Sequence, residues 1–145
     1  MVVVAMVLVA VAGALVSVQA PMNAALGRGI GSPIAAATIS FAVGLALLVL
    51  ATTLLGETAA LGRVGAVSPW LLLGGGMGAV FVFASLWAVP ILGVVTTVAL
   101  VIMGQLVAAL ILDHFGAFGL AARDISLTRL GAVILVAAGA ILSRY

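Results

Sequence analysis

The chain has 145 residues, of which 67% are hydrophobic and 6% are charged, with a net charge of +2 at pH 7. A water-soluble domain of this size needs a polar surface that so few charged residues cannot supply, so the composition predicts an integral membrane protein. The five arginines are scattered rather than clustered, which gives no sign of nucleic-acid binding. The absence of cysteine excludes disulfides and thiolate metal sites.

The first two predicted spans cover residues 2–26 and 32–55, and each is long enough to cross a bilayer. Pro21 removes a backbone donor from the first span, and the glycine-rich residues 27–31 predict a tight turn after it. Ser32-Pro33 is typical of an N-cap followed by a first-turn proline, which starts the second span. This span carries small residues one turn apart, a strip against which another helix can pack: Ala36, Ser40 and Gly44.

The third predicted span, residues 69–88, follows a second serine–proline pair and opens on glycines 74–76. Glycines at this density predict close backbone contact with another helix. We expect Pro90 to end this helix near Trp87, because the residue before a proline is pushed out of helical geometry. Two further spans follow, the last of them capped by Ser126: residues 91–112 and 127–143.

Five spans predict an all-α integral membrane protein in which residues 1–145 form one transmembrane domain. The arginines are divided three to two between the predicted sides of the bilayer: Arg63, Arg123 and Arg129 against Arg28 and Arg144. So small a bias is compatible with a fixed orientation, but it favours dual topology, in which copies insert both ways and pair antiparallel. Two inverted five-helix units would form a ten-helix, inverted-repeat transporter with its site at the midplane.

A series of short motifs extends along nearly the whole chain, and their order and spacing are more specific than any single one. They are Gln19-x-x-x-Asn23, Gly31-x-Pro33, Ser40-Phe41-x-x-Gly44, Pro69-Trp70, Gly74-Gly75-x-x-Gly78, Pro90-x-x-Gly93, Gly104-Gln105 and Asp113-x-Phe115-Gly116-x-Phe118-Gly119. With these motifs the chain resembles the YdcZ-type family, a short branch of the drug/metabolite transporter superfamily of small-molecule exporters. The resemblance implies a five-helix unit of the bacterial inner membrane that works as an antiparallel pair, with itself or with an oppositely oriented relative.

One departure from related families bears on the mechanism. The small multidrug resistance proteins use a membrane-embedded glutamate in their first helix to bind protons and cationic drugs. The first span of this chain has Gln19 and Asn23 instead. Proton-coupled drug export by that mechanism is therefore not expected.

The candidate solute-binding residues are polar or aromatic side chains inside the spans: Gln19, Asn23, Ser40, Trp87, Thr97 and Gln105. Gln19 and Asn23 lie one helical turn apart and share a face. They either tie helices together or face a solute, and their closeness to Pro21 favours a pathway. Gln105 is the deepest amide, with Thr97 on the same stripe, and either contacts solute or packs helices. Packing is the stronger interpretation for Ser40, and anchoring at the membrane interface for Trp87.

Asp113 is the only carboxylate close to an embedded position, which makes it a weak candidate for ion coupling. Its place beside His114 at a helix end favours an interfacial position instead. The sequence contains no Ser-His-Asp arrangement, phosphate loop, metal-ligand spacing or carboxylate pair, so neither an enzyme nor a bound cofactor or metal is expected.

The sequence therefore predicts a secondary transporter or exporter of a small organic solute, working by alternating access as an antiparallel dimer. Two alternatives stay open at this point. One is a non-transporting membrane subunit that modulates a larger partner, and the other is a small dual-topology channel.

Overall fold

The computed structural model describes residues 1–143 and 145, and all regular structure in them is helical. The main helices are α1 (Val2–Ile30), α2 (Pro33–Leu54), α4 (Leu73–Leu92), α5 (Val94–Phe115) and α6 (Leu127–Leu142), with a single turn α3 (Thr58–Leu61). Short 3₁₀ turns lie at Gly62–Ala66, Pro69–Leu72 and Ala117–Gly119. The predicted all-α class is confirmed. Arg144, which entered the arginine balance, lies outside the described residues.

Within the described residues, four segments are long and apolar enough to cross a membrane, and the fifth apolar helix is shorter. The four include α1, α2, α5 and a continuous stretch from Pro69 to Leu92. The 16 residues of α6 rise only about 24 Å, less than the roughly 30 Å of a hydrocarbon core. Five apolar helices are thus present as expected, while the crossing of the bilayer by α6 stays a prediction.

The tight turn predicted at residues 27–31 is wrong, because α1 continues to Ile30 and ends at Gly31. Gly31 adopts a left-handed conformation with φ 72°, and the Ser32 amide donates to the Gly27 carbonyl at 3.0 Å. This is the usual glycine termination of a helix. Ser32 then caps α2 as predicted, because its hydroxyl accepts from the Ala35 amide at 3.2 Å.

Pro90 does not end the third spanning helix as predicted, since α4 runs through it to Leu92. The break comes at Gly93, whose backbone has φ 79° and ψ 165°, a conformation that is open essentially to glycine alone. A proline so near the end of a helix removes only its own donor, and neighbouring groups compensate for that loss in membrane helices. The following helix therefore begins at Val94 rather than at residue 91, and extends to Phe115.

The chain divides into two compact units, residues 1–90 and 91–145, each described by itself. In the first unit α1 and α2 pack on each other, and Ala24 and Ala37 join a small core with three residues of α4: Val82, Leu86 and Val89. A Cβ added at glycines 74–76 would meet no atom within 4 Å, whereas one at Gly78 would lie 3.7 Å from the Phe41 ring. The close contact predicted for glycines 74–76 is therefore not found in the described part of the chain.

In the second unit α5 packs against α6, and the loop between them folds back on the end of α5. Gly116 ends α5 with φ 57°, and the Arg123 amide donates to the Asp113 carbonyl at 2.8 Å. Ser126 caps α6 as predicted, by accepting from the Arg129 amide at 3.3 Å.

We predict that Gly116→Ala lowers the stability of the folded protein by about 1–3 kcal/mol. Its added Cβ would lie 2.8 Å from the Leu120 carbonyl oxygen and 3.2 Å from the Ala122 nitrogen, in a left-handed conformation. Thermal unfolding in detergent measures the effect. The matched control is Gly131→Ala in α6, where a Cβ meets nothing within 4 Å and helix propensity rises. Equal melting temperatures for the two variants would contradict this account of the loop.

Candidate functional site

Three of the predicted residues meet where α1 packs on α2. The Asn23 amide nitrogen Nδ2 donates to the Ser40 hydroxyl oxygen at 3.1 Å, and Gln19 Nε2 donates to the same oxygen at 3.4 Å. Asn23 is 7% exposed, whereas Gln19 and Ser40 are half-buried. We call Gln19, Asn23 and Ser40 the α1–α2 polar cluster.

The cluster follows from the way α1 and α2 pair. At Gly27 the helices approach closely, because an added Cβ there would lie 3.3 Å from the Pro33 Cα and 3.6 Å from the Ala36 Cβ. One turn farther along each helix, four residues from Gly27 and four from Ala36, the antiparallel pair brings Asn23 to Ser40. Gln19 lies one more turn along α1 and reaches the same hydroxyl. The close packing at Gly27 and Ala36 thus places the side chain of Asn23 next to that of Ser40.

The cluster lies well inside the apolar helices rather than at their ends. α2 has 22 residues, and Ser40 is about 5 Å along the axis from its middle. α1 has 29 residues, and Gln19 and Asn23 are about 5 Å and about 10 Å from its middle. At such depth an amide without a hydrogen-bond partner costs several kcal/mol, so these side chains need each other or a polar guest.

The cluster has hydrogen-bonding capacity left over. Ser40 Oγ accepts two donors, which fills both of its lone pairs. The amide oxygens of Gln19 and Asn23 accept no hydrogen bond from any described residue. Among the described residues, every fully buried side-chain nitrogen or oxygen has a hydrogen-bond partner. The two unbonded amide oxygens are therefore at least partly exposed.

Of the other three predicted solute-binding residues, Trp87 forms no described hydrogen bond with this cluster, and Thr97 and Gln105 belong to the second unit. Trp87 is 59% exposed on α4, next to the buried core residue Leu86. Thr97 belongs to the second unit, where it is buried and its hydroxyl donates to the Gly93 carbonyl of its own helix at 2.7 Å. Gln105, also in the second unit, is exposed and forms no hydrogen bond with a described residue.

Asp113, the weak candidate for ion coupling, forms an ion pair with Arg129 across the α5–α6 loop. Their side chains are 29% and 32% exposed, and Arg129 Nη1 also donates to the Asp124 carbonyl at 3.4 Å. The carboxylate thus has a countercharge at the end of its helix. The pair was not predictable from the sequence, because the two residues come together through an irregular loop that begins at Gly116.

Sequence reasoning also missed a hydroxyl contact in the second unit. Thr96 is buried, its hydroxyl donates to the Ser143 carbonyl at 3.2 Å, and the Ser143 hydroxyl lies 3.0 Å from Thr96 Oγ1. The pair joins the start of α5 to the end of α6. The Thr96-Thr97 pair at the start of an apolar span is the sequence signal that points to this contact.

Apolar helices of spanning length with an uncharged polar cluster between two of them define a multi-pass membrane protein. A model of the family described as "Putative inner membrane exporter, YdcZ" matches residues 4–142. The chain therefore belongs to the YdcZ family, which confirms the resemblance seen in its motifs, and its location is the inner membrane.

A curated relative gives the same assignment. The chain is 35% identical over 81 residues to the inner membrane protein YdcZ of Escherichia coli strain K12. The match covers 56% of this chain and 54% of the relative, so the chain spans about half the length of the relative it matches. No solved structure matches the chain.

We predict that the Asp113–Arg129 pair contributes to stability. Asp113→Asn and Arg129→Gln each remove one partner of the ion pair, and their effects on thermal unfolding in detergent should not add. We expect a coupling energy of about 0.5–1 kcal/mol, because the pair is only partly buried. Strictly additive effects in the double variant would show that the pair contributes nothing.

Proposed function

We propose that this chain is a secondary transporter of a small organic solute, and that it works by alternating access in an antiparallel dimer. The observation that carries the proposal is the α1–α2 polar cluster, with its two open amide oxygens inside apolar helices. Polar groups at this depth are costly and usually mark a solute pathway. Membership of a family of inner membrane exporters supports a transport role.

A second copy is proposed because the second unit leaves a deep polar group of α5 open. Gln105 is the twelfth residue of the 22-residue helix α5, and it is exposed there. Hydrocarbon cannot satisfy an amide, so this side chain needs a polar partner or a water-filled cavity. A second copy, or an oppositely oriented relative, would supply the facing wall.

The open glycines of α4 fit the same arrangement. Nothing in the described part of the chain lies within 4 Å of a Cβ added at residues 74–76. In membranes, small residues allow two helices to approach closely, and van der Waals packing then drives their association. The balanced arginines favour an inverted copy, because they give the chain little preference for one orientation.

The antiparallel homodimer predicts labelling of the C-terminus from both sides of the membrane. Because the chain has no native cysteine, Tyr145→Cys gives a single reactive site at an exposed residue. An impermeant maleimide should label about half of the molecules in inverted vesicles and about half of them in intact spheroplasts. Leu120→Cys, exposed in the α5–α6 loop, is the control for labelling efficiency. One-sided labelling of every molecule would exclude the homodimer and leave a pair with an inverted relative.

The transport proposal predicts saturable counterflow that depends on the cluster. In proteoliposomes offered a panel of small solutes, Asn23→Leu and Ser40→Ala should each lower counterflow roughly tenfold, the effect of about one lost hydrogen bond. Ser17→Ala is the matched control, since that hydroxyl bonds only to the Gly13 carbonyl of its own helix. Passive, unsaturable flux would favour a channel. Counterflow unchanged in both folded cluster variants would remove the cluster from the pathway. The absence of counterflow for every solute of the panel would favour a modulating subunit.

A further inference from the structure

The hydrogen-bond inventory of the α1–α2 polar cluster restricts the kind of solute it can take. Both lone pairs of Ser40 Oγ are used by the amides of Gln19 and Asn23. The Ser40 hydroxyl hydrogen has no acceptor among the described residues, since none of the described hydrogen bonds has Ser40 as donor. The cluster therefore presents a free O–H donor to a guest.

The same cluster presents acceptors close to that donor. The amide oxygens of Gln19 and Asn23 accept no hydrogen bond, and both amides bond to a single hydroxyl oxygen. Each amide nitrogen also keeps a second N–H beyond the one it donates to Ser40. A guest that offers only acceptors, or only donors, would leave part of this set unpaired at the cost of desolvation.

No formal charge in the first unit is placed to serve the cluster. The charged residues of that unit are Arg28, in the exposed last turn of α1, and Glu57 and Arg63, both beyond the end of α2. An unpaired charge moved to this depth carries a large desolvation penalty. Both a permanent cation and an anion are therefore disfavoured as guests.

We infer that the α1–α2 polar cluster selects an uncharged solute with neighbouring hydrogen-bond donors and acceptors, the chemistry of a polyol, a urea or a simple amide. Such a solute donates to the Gln19 and Asn23 oxygens and accepts from Ser40 and the remaining N–H groups. The inference rests on the transport function proposed above and assigns its substrate class.

The test compares three charge classes in proteoliposomes that contain the full chain. Erythritol and urea are the uncharged probes, and their entry is measured by stopped-flow light scattering. Radiolabelled glycine is the zwitterion, and radiolabelled tetraphenylphosphonium is the cation. We expect an uncharged probe to enter faster than into protein-free liposomes, with little change for the other two. Ser40→Ala should reduce that entry about tenfold, and Ser17→Ala should not. Circular dichroism and a single peak in gel filtration establish that each variant is folded.

The substitution Asn23→Asp supplies a second, independent readout. It replaces an amide by a carboxylate of the same shape, so it should lower entry of the uncharged probe and raise uptake of tetraphenylphosphonium severalfold. Uptake of tetraphenylphosphonium or glycine by the unchanged protein, without entry of an uncharged probe, would overturn the inference and leave the transporter standing. Entry of none of the four probes would contradict the proposed transport as well.

Discussion

The hydrogen bond from Asn23 to Ser40 joins the packing of the first unit to its buried polar groups. Both residues sit in helices whose other surfaces are almost wholly apolar, and lipid offers no partner to an amide or a hydroxyl. The bond exists because small residues at Gly27 and Ala36 hold α1 and α2 together one turn away. Packing, polar pairing and the site are thus parts of one local arrangement in the first unit.

The cluster has more hydrogen-bonding groups than a contact between two helices needs. A helix–helix bond needs one donor and one acceptor, and such bonds contribute only about 0.6–2 kcal/mol in membranes. This cluster uses two amides on one hydroxyl and leaves two amide oxygens open. This surplus is what the proposed transport requires, because the amides would keep a partner at Ser40 when no solute is bound.

Much of the fold could be predicted from the sequence, because hydropathy and the caps at Ser32 and Ser126 are local signals. Helix ends were less predictable. Gly27, Gly29 and Pro90 are helix breakers in water, but in lipid the backbone has no alternative partner, and both helices continue through them. The position of Gln19 and Asn23 on one face of α1 was predictable from their spacing. Their shared contact with Ser40 was not, because it depends on the register in which α1 and α2 pack. The Asp113–Arg129 pair depended on a loop with no periodicity.

Asn23 is the single asparagine of the chain, so its side chain can be observed without any mutation. The most direct test of the central claim is solid-state NMR of the [¹⁵N]asparagine-labelled protein in bilayers. We expect magnetisation transfer from water to the Asn23 side-chain amide, and a shift of its resonance when a transported solute is added. An amide that stays dry and does not respond to any transported solute would mean that the cluster only joins two helices.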